Sequence, residues 1–364
     1  MSHHLDTSAM LALLLLSCNA WAGEPDDGFF SVDAFGTLGF LHSDYRKADF
    51  VTSNPFYPSG VGYTRGWGTD QDSKLGVQLS ADFGRISAVV QGITQLRYDN
   101  TFTPELEWAN LRYAITPELS LRVGRVVLPT FLSSDTENVG YVHPWVRTPA
   151  EIRVQLPMTN SDGVDLSYHF NVGAASHDLQ LLFGRNKERL PQGGVFENHR
   201  IRALTDTIEY GRLTLHVGYQ RMHYQVPDYP AHFAFEAFDI GATYDPGSWY
   251  VIAEQFNTYD EAVGHVRAQS LGGGYRIGDV TPYLVWSKIR QTSVGILGME
   301  PLYEQQTVAA GVRWDFVRNV ALKLQYETIR IGSPLIPTSF VNLQPGVQIG
   351  DYAHVFSATL DFVW

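Results

Sequence analysis

The side chains of this 364-residue sequence that could do chemistry are opposed charges more than nucleophiles. Segment 128–162 holds Asp135, Glu137, Glu151 and Asp162 among Arg147, Arg153, Trp145 and four prolines. Upstream, Lys74, Arg97, Arg112 and Arg122 fall on the polar side of alternating segments. Acids on one element facing bases on another would set a field between them, suited to holding or orienting a charged or dipolar partner. The bland alternative is that the same charges are solvated, or pair with one another to hold the segment in place.

Covalent chemistry finds less support. After residue 22 no His-Xaa-Ser pair occurs, so base and nucleophile do not share one strand face at alternate positions. There is no Gly-Xaa-Ser-Xaa-Gly elbow, no Walker loop and no His-Glu-Xaa-Xaa-His. Gly272-Gly273-Gly274 lacks the strand-then-helix context of a phosphate loop. The histidines are scattered, and Glu105 with Glu107 shows only shared sidedness. The expectation is a non-enzyme with no cofactor and no metal.

The elements that must position the charges are strands. From Phe30 onward, segments of about 10 residues alternate with period two. Leu75, Val77, Leu79, Ala81 and Phe83 oppose Lys74, Gln78, Ser80 and Asp82; late in the chain Val320, Leu322, Leu324 and Tyr326 oppose Lys323, Gln325 and Glu327. Sixteen such segments are predicted, near 30–42, 73–83, 86–97, 105–116, 119–127, 163–170, 177–185, 200–210, 212–223, 233–244, 248–257, 265–277, 280–290, 305–316, 319–331 and 352–364. Those between 200 and 290 alternate less cleanly. Tight turns such as Gly84-Arg85, Gly211-Arg212 and Gly278-Asp279 follow every second strand, with loops at 43–72, 128–162, 186–199, 291–304 and 332–351 between them. An even number of antiparallel strands with short turns on one side and long loops on the other is the pattern of a closed transmembrane β-barrel, all-β in class. Aromatics including Phe30, Phe83, Trp249, Tyr283, Trp314 and Trp364 fall near strand ends, where interfacial girdles want them.

Composition agrees. A mean hydropathy of -0.13 and no apolar stretch of about 20 residues exclude a helical membrane protein, whereas alternation hides a barrel wall from any hydropathy window. Residues 1–22 read as a signal peptide: an apolar run from Ala9 to Leu16, then Ala20-Trp21-Ala22 ahead of a cut before Gly23. No Lys or Arg precedes the run, only His3 and His4. The single cysteine, Cys18, lies within this segment; Leu15-Leu16-Ser17-Cys18 could instead be a lipoprotein box with Cys18 lipidated. Residues 23–364 form the barrel. The formal charge of -12, or -11 once Asp6 is removed with the leader, argues against a nucleic-acid partner.

Over essentially its whole mature length the chain resembles the general porins of Gram-negative outer membranes. The likeness is carried by the opening strand Val32 to Phe40, the strand ending Leu121-Arg122-Val123-Gly124-Arg125, the long segment after the fifth strand, and a last strand closing on an aromatic. Trp364 stands where such strands usually have phenylalanine. The resemblance implies a sixteen-stranded, homotrimeric barrel embedded in outer-membrane lipid, passing small hydrophilic solutes, with segment 128–162 folded into the lumen. It also favours a lumen-facing Arg125, although that residue shares parity with Leu121 and Val123 and would need a bulge at Gly124. Two alternatives are kept: a substrate-selective channel for an anion, sugar or organic acid, and a soluble secreted all-β binding protein that stays in solution without detergent.

Overall fold

Period-two alternation gives each strand one apolar and one polar row, and a sheet closed on itself can use both while leaving no edge unpaired. The computed structural model describes residues 29–52, 57–97, 99–156, 158–189, 195–225, 232–298, 303–333 and 338–364. The leader reading of 1–22 and Cys18 lies outside them.

Sixteen long strands appear where the alternation predicts them: β1 (Phe30–Ser43), β2 (Lys74–Asp82), β3 (Ile86–Gln95), β4 (Glu105–Ala114), β5 (Leu119–Val127), β6 (Asn160–Val172), β7 (Ala175–Arg189), β8 (Val195–Tyr210), β9 (Leu213–Gln225), β10 (His232–Tyr244), β11 (Trp249–Asp260), β12 (Gly264–Tyr275), β13 (Val280–Gln291), β14 (Glu304–Val317), β15 (Val320–Ile331) and β16 (Tyr352–Val363). Each pairs antiparallel with its sequence neighbours. The ring is sealed by β1, which pairs with β2 from Phe30↔Ala81 to Thr37↔Lys74 and with β16 from Phe35↔Val363 to Ser43↔Val355.

The burial pattern is that of a membrane barrel turned outward. Large apolar side chains such as Leu79, Leu111, Val123, Leu204, Ile240, Leu271, Leu284 and Val308 are exposed on the outer face, while Thr37, Ser120, Asp165, Thr205, Gln325, Lys323, Thr359 and Asp361 are buried on the inner one. In water such an outer surface would be a large apolar patch with no reason to persist; in hydrocarbon it is the stable arrangement. Tyr210, Tyr244, Trp249, Tyr275, Trp314, Phe316 and Trp364 are exposed at the short-turn ends, as an interfacial belt requires. Tyr283 is a correction to that belt. It points inward and is buried, packing beside Trp145.

At the long-loop end, Asp49–Phe50, Val61–Gly62 and Phe340–Val341 form a small sheet. It rests on an apolar cluster that includes Leu41, Ile329, Ile331 and Val355 from the barrel rim, so the first and last long loops fold together over β1, β15 and β16.

Candidate functional site: a lumen divided by an inserted loop

The chain after β5 does not stay outside the barrel. Residues 128–156 and 158–159 run through the lumen as irregular backbone interrupted by two 3-10 turns, Ser134–Thr136 and Gly140–Val142, and one helical turn, α1 (Ala150–Arg153). Apolar residues fix one flank of this loop. Leu128, Phe131, Ile152, Val154, Leu156 and Met158 pack in one cluster with inward-facing Leu182, Ile201, Met222, Phe233, Phe235, Phe256, Val266 and Ile289 of β7–β13. At roughly 1.5–3 kcal/mol for each fully buried large side chain, this contact outweighs any exposed ion pair in the molecule. It also explains the poor alternation between 200 and 290: those strands are apolar outside against lipid and apolar inside against the loop.

Polar side chains of β13–β16 grip the loop's far end. Lys323 Nζ donates to the carbonyls of Gly140 (2.7 Å) and Trp145 (3.1 Å) and pairs with Asp361 at 2.9 Å, both side chains fully buried. Arg313 Nη1 donates to the carbonyls of Tyr141 (2.7 Å) and His143 (3.0 Å). Trp145 lies 6.4 Å, ring to ring, from both Tyr250 and Tyr283. Gly272 leaves room for its indole, since a Cβ there would come within 2.7 Å of it.

Two of the charges singled out from sequence act as anchors. The buried Glu151 carboxylate accepts hydrogen bonds from Ser287 Oγ (2.9 Å), Gln305 Nε2 (2.8 Å) and Thr307 Oγ1. Arg147 donates to Asp72 through Nε (3.0 Å) and Nη2 (2.7 Å), to Ser357 Oγ (2.6 Å) and to Glu327. These contacts tie the loop to the wall instead of presenting free charge to a permeant.

The opposite wall, β1–β5, keeps a polar inner face. Two spaces lie between it and the loop. One, of about 200 Å³, is lined by Thr37, Lys74, Gln95, Glu137, Asn138 and Arg153, among others. The second, of about 170 Å³, is lined by residues that include Gln78, Trp108, Asn110, Arg112, Arg122 and Asp135. The loop thus contributes the acids Asp135 and Glu137, and the wall the bases Lys74, Arg112 and Arg122. Not all are equally available. Arg122 is committed to the buried Asp165 by two bonds of 3.0 and 3.2 Å, and Arg153 donates to Glu137 at 2.9 Å while its guanidinium lies over the Phe131 ring. Arg112 is exposed to the lumen and takes part in no ion pair among the described residues.

Three predicted lining residues sit elsewhere. Arg97 follows the end of β3, at the rim, and pairs with Glu105. Arg125 and Asp162 face outward, paired at 2.7 Å. The register runs without a break through Leu111↔Val123, Asn110↔Gly124 and Ala109↔Arg125, and likewise through Val123↔Val164 and Arg125↔Asp162. Arg125 therefore keeps the parity of exposed Val123, and buried Val126 and Ser161 occupy the inner face. Gly124 has φ +131° because the Ala109 carbonyl lies where a Cβ would be, a close approach and not a bulge. The expectation of a lumen-facing Arg125 is thereby corrected.

Sequence reading missed Asp72, Asp165, Arg313, Lys323, Glu327 and Asp361 as members of this network. The inward parity of Arg313, Lys323, Glu327 and Asp361 was visible; their partners, on distant strands or on the loop, were not. It also missed a cross-strand alignment on β6 and β7: His169 Nδ1 lies 2.9 Å from Asp178, and Ser176 Oγ 3.5 Å from His169 Nε2. His169 and Asp178 are exposed near the short-turn end and Ser176 is half-buried, and 3.5 Å is the outer limit of a hydrogen bond, a poor arrangement for activating a hydroxyl.

No protein-family model matches the chain, and no characterised sequence matches it. Solved structures do. The anion-selective porin from Comamonas acidovorans superposes with a TM-score of 0.60 at 14% identity, covering 92% of this chain and 100% of that one. The outer-membrane channel DcaP of Acinetobacter baumannii gives 0.60 at 11% identity over 94% and 100%, and Salmonella typhi OmpF, solved with daunomycin, 0.60 at 12% over 92% and 97%. With its ring of sixteen strands closed by β1 and a loop drawn into the lumen, this chain has the barrel fold of the outer-membrane porins.

Proposed function

We propose that the protein is an outer-membrane diffusion pore, exported through the periplasm with residues 1–22 removed as a signal peptide, that passes small hydrophilic solutes and ions. The observation that carries this reading is the inside-out barrel with two open spaces lined by charged side chains between β1–β5 and the inserted loop. Asp135 and Glu137 on the loop, facing Lys74 and Arg112 on the wall, supply the transverse field that orders dipolar solutes and disfavours apolar ones. No catalytic role is part of the reading. A homotrimer is the assembly we infer, in keeping with the trimer form recorded for Vibrio cholerae OmpT, a structure 14% identical to this chain.

The apolar plug favours a second reading, a substrate-selective channel of the same wall, because it confines passage to spaces sized for one small solute at a time. Single-channel conductance in planar bilayers tests both. Ohmic conductance with modest ion selectivity, unaffected by added solutes, supports the general pore; block by one anion, sugar or organic acid at low concentration supports the selective channel. A chain that stays monodisperse without detergent and forms no channels defeats both.

A further inference from the structure

The space of about 170 Å³ beside β2–β5 is lined by three charged side chains, Arg112, Arg122 and Asp135. Arg122 is taken up by the fully buried Asp165 through bonds of 3.0 and 3.2 Å. Glu107, nearby on β4, is buried and accepts a hydrogen bond from Thr159 Oγ1 of the loop. Arg112 and Asp135 are different. Both are exposed, and neither takes part in an ion pair among the described residues. One free cation on the wall and one free anion on the loop therefore share a single space, with no excess of either sign. An anion drawn to Arg112 meets Asp135 as well, and a cation drawn to Asp135 meets Arg112; such like-charge juxtaposition is costly. A solute carrying both charges satisfies both residues.

Register adds a reason for Arg112 to hold a carboxylate. It stands directly opposite Arg122, and like charges at such positions destabilise an antiparallel pair. Asp165 relieves this only on the Arg122 side. A carboxylate accepting two parallel hydrogen bonds from the Arg112 guanidinium supplies the counter-charge on the other.

The backbone of β4 shapes the rest of the site. Gln91 pairs with Trp108 and Gly92 with Leu106, which leaves Glu107 as an extra residue in the ladder, a bulge of the kind that re-aims side chains next to functional sites. Leu106 stays exposed outside while Glu107 turns inward, where Thr159 holds it. Trp108 keeps the inner row of Asn110 and Arg112, and with Val89 and Val127 it gives the space an apolar patch beside the two free charges. The volume takes on the order of ten waters, which a small organic molecule can replace.

We propose that this space binds a zwitterionic amino acid with a compact apolar side chain: its carboxylate on Arg112, its ammonium on Asp135 and its side chain against Trp108. The assignment rests on the selective-channel reading above and names its solute. It sets such an amino acid apart from a simple organic acid, which Asp135 repels, and from a sugar, which leaves both charges unanswered.

The test measures block of single-channel current through the full-length protein in planar bilayers by four probes: L-leucine, isocaproate (leucine without its ammonium), isoamylamine (leucine without its carboxylate) and glycine. Leucine is expected to block at concentrations about tenfold below each of the others, since every probe but leucine forfeits one of the three contacts. Asp135→Asn should weaken leucine block by about tenfold and move isocaproate ahead of isoamylamine; Arg112→Gln should weaken it similarly and move isoamylamine ahead of isocaproate. Trp108→Ala should erase the advantage of leucine over glycine. Equal block of the parent by leucine and isocaproate overturns the proposal, as does one unchanged order of probes in the parent and both charge variants. Because the parent's own order of probes is decisive, a variant that fails to fold does not shield the proposal. Parent channels of steady conductance that no probe blocks overturn it and leave the pore reading standing, whereas a parent that forms no channels brings down both.

Discussion

The inner faces of β1–β5 and β7–β13 have the same geometry and opposite chemistry. The first presents Gln78, Gln91, Asn110, Arg112 and Arg122; the second presents Leu182, Ile201, Met222, Phe233, Phe235, Phe256 and Ile289. Outside, both expose large apolar side chains, Leu79 and Leu111 on the first and Leu204 and Ile240 on the second. A polar inner face is content with water, whereas an apolar one exposed to a wet lumen would forfeit roughly 25 cal/mol for every Å² left unburied. The inserted loop therefore settles against β7–β13 with its own apolar residues, and the open space of the lumen is left along the other wall. The comparison teaches that the lumen's cross-section is set by where hydrophobic residues face inward, and its charge by the wall that lacks them.

The strongest way to break this contrast is to cut into the plug. Phe256→Ala removes a fully buried ring in contact with Phe131 and is expected to cost about 3–5 kcal/mol, read as a lower urea midpoint for unfolding from lipid, with larger and noisier conductance as the loop loosens. The equivalent truncation of exposed Leu111 should cost far less; equal losses would show that the plug is not what holds the loop. Next in size is the polar anchor. Glu151→Gln replaces a carboxylate that accepts three hydrogen bonds with a group that must donate as well as accept, and should cost about 1–3 kcal/mol, again with conductance fluctuations and little change in ion selectivity.

Charge on the polar wall tests the contrast from the other side. Arg112→Glu should shift the reversal potential in a salt gradient toward cations without loss of stability, because Arg112 has no ion-pair partner among the described residues to abandon. Arg122→Glu would place a second acid against buried Asp165 and is expected to destabilise the barrel before any selectivity can be read. An unmoved reversal potential in Arg112→Glu would remove that residue from the passage. Arg125→Gln, outside the lumen, should leave selectivity untouched and cost about 0–1 kcal/mol.

The smallest effect lies at a short turn. Arg276 hydrogen bonds to Asp245, at 2.7 Å through each of two nitrogens, hold that carboxyl below the usual aspartate range. An acid with a depressed folded value stabilises above its unfolded value and loses that contribution as pH falls through the folded one. Asp245→Asn should therefore flatten the acid limb of the stability profile slightly and change nothing at pH 7 and above beyond a small constant offset.

Much of this was legible in the residues. The sixteen strands follow from alternation that is local, and Glu105–Ala114 and Leu119–Val127 begin where the pattern puts them. The observed β6, β7 and β8 outrun their predicted ends because polar rim residues such as Asn186 and Asn198 continue the ladder without marking a face by hydropathy. For the site, acids of the loop and bases of the wall were named from sequence, but not the partners that tie Arg147, Glu151 and Arg122 down. Arg147 and Glu151 look like pore charges in sequence; their partners Asp72, Glu327, Ser287, Gln305 and Thr307 lie far along the chain, and spacing cannot reveal them. Arg125 was misplaced by analogy when parity had already put it outside.

The order of hydrophobic and polar residues along the chain was sufficient to determine that alternate side chains of each strand divide between two environments, because a strand's side-chain period is fixed at two by backbone geometry. It could not determine which charges remain free. That was decided by the closed sheet, which brings β13–β16 around to meet a loop leaving β5, and by the apolar wall that draws this loop aside. Free charge is a property of distances between residues hundreds of positions apart, and only tertiary structure sets those distances.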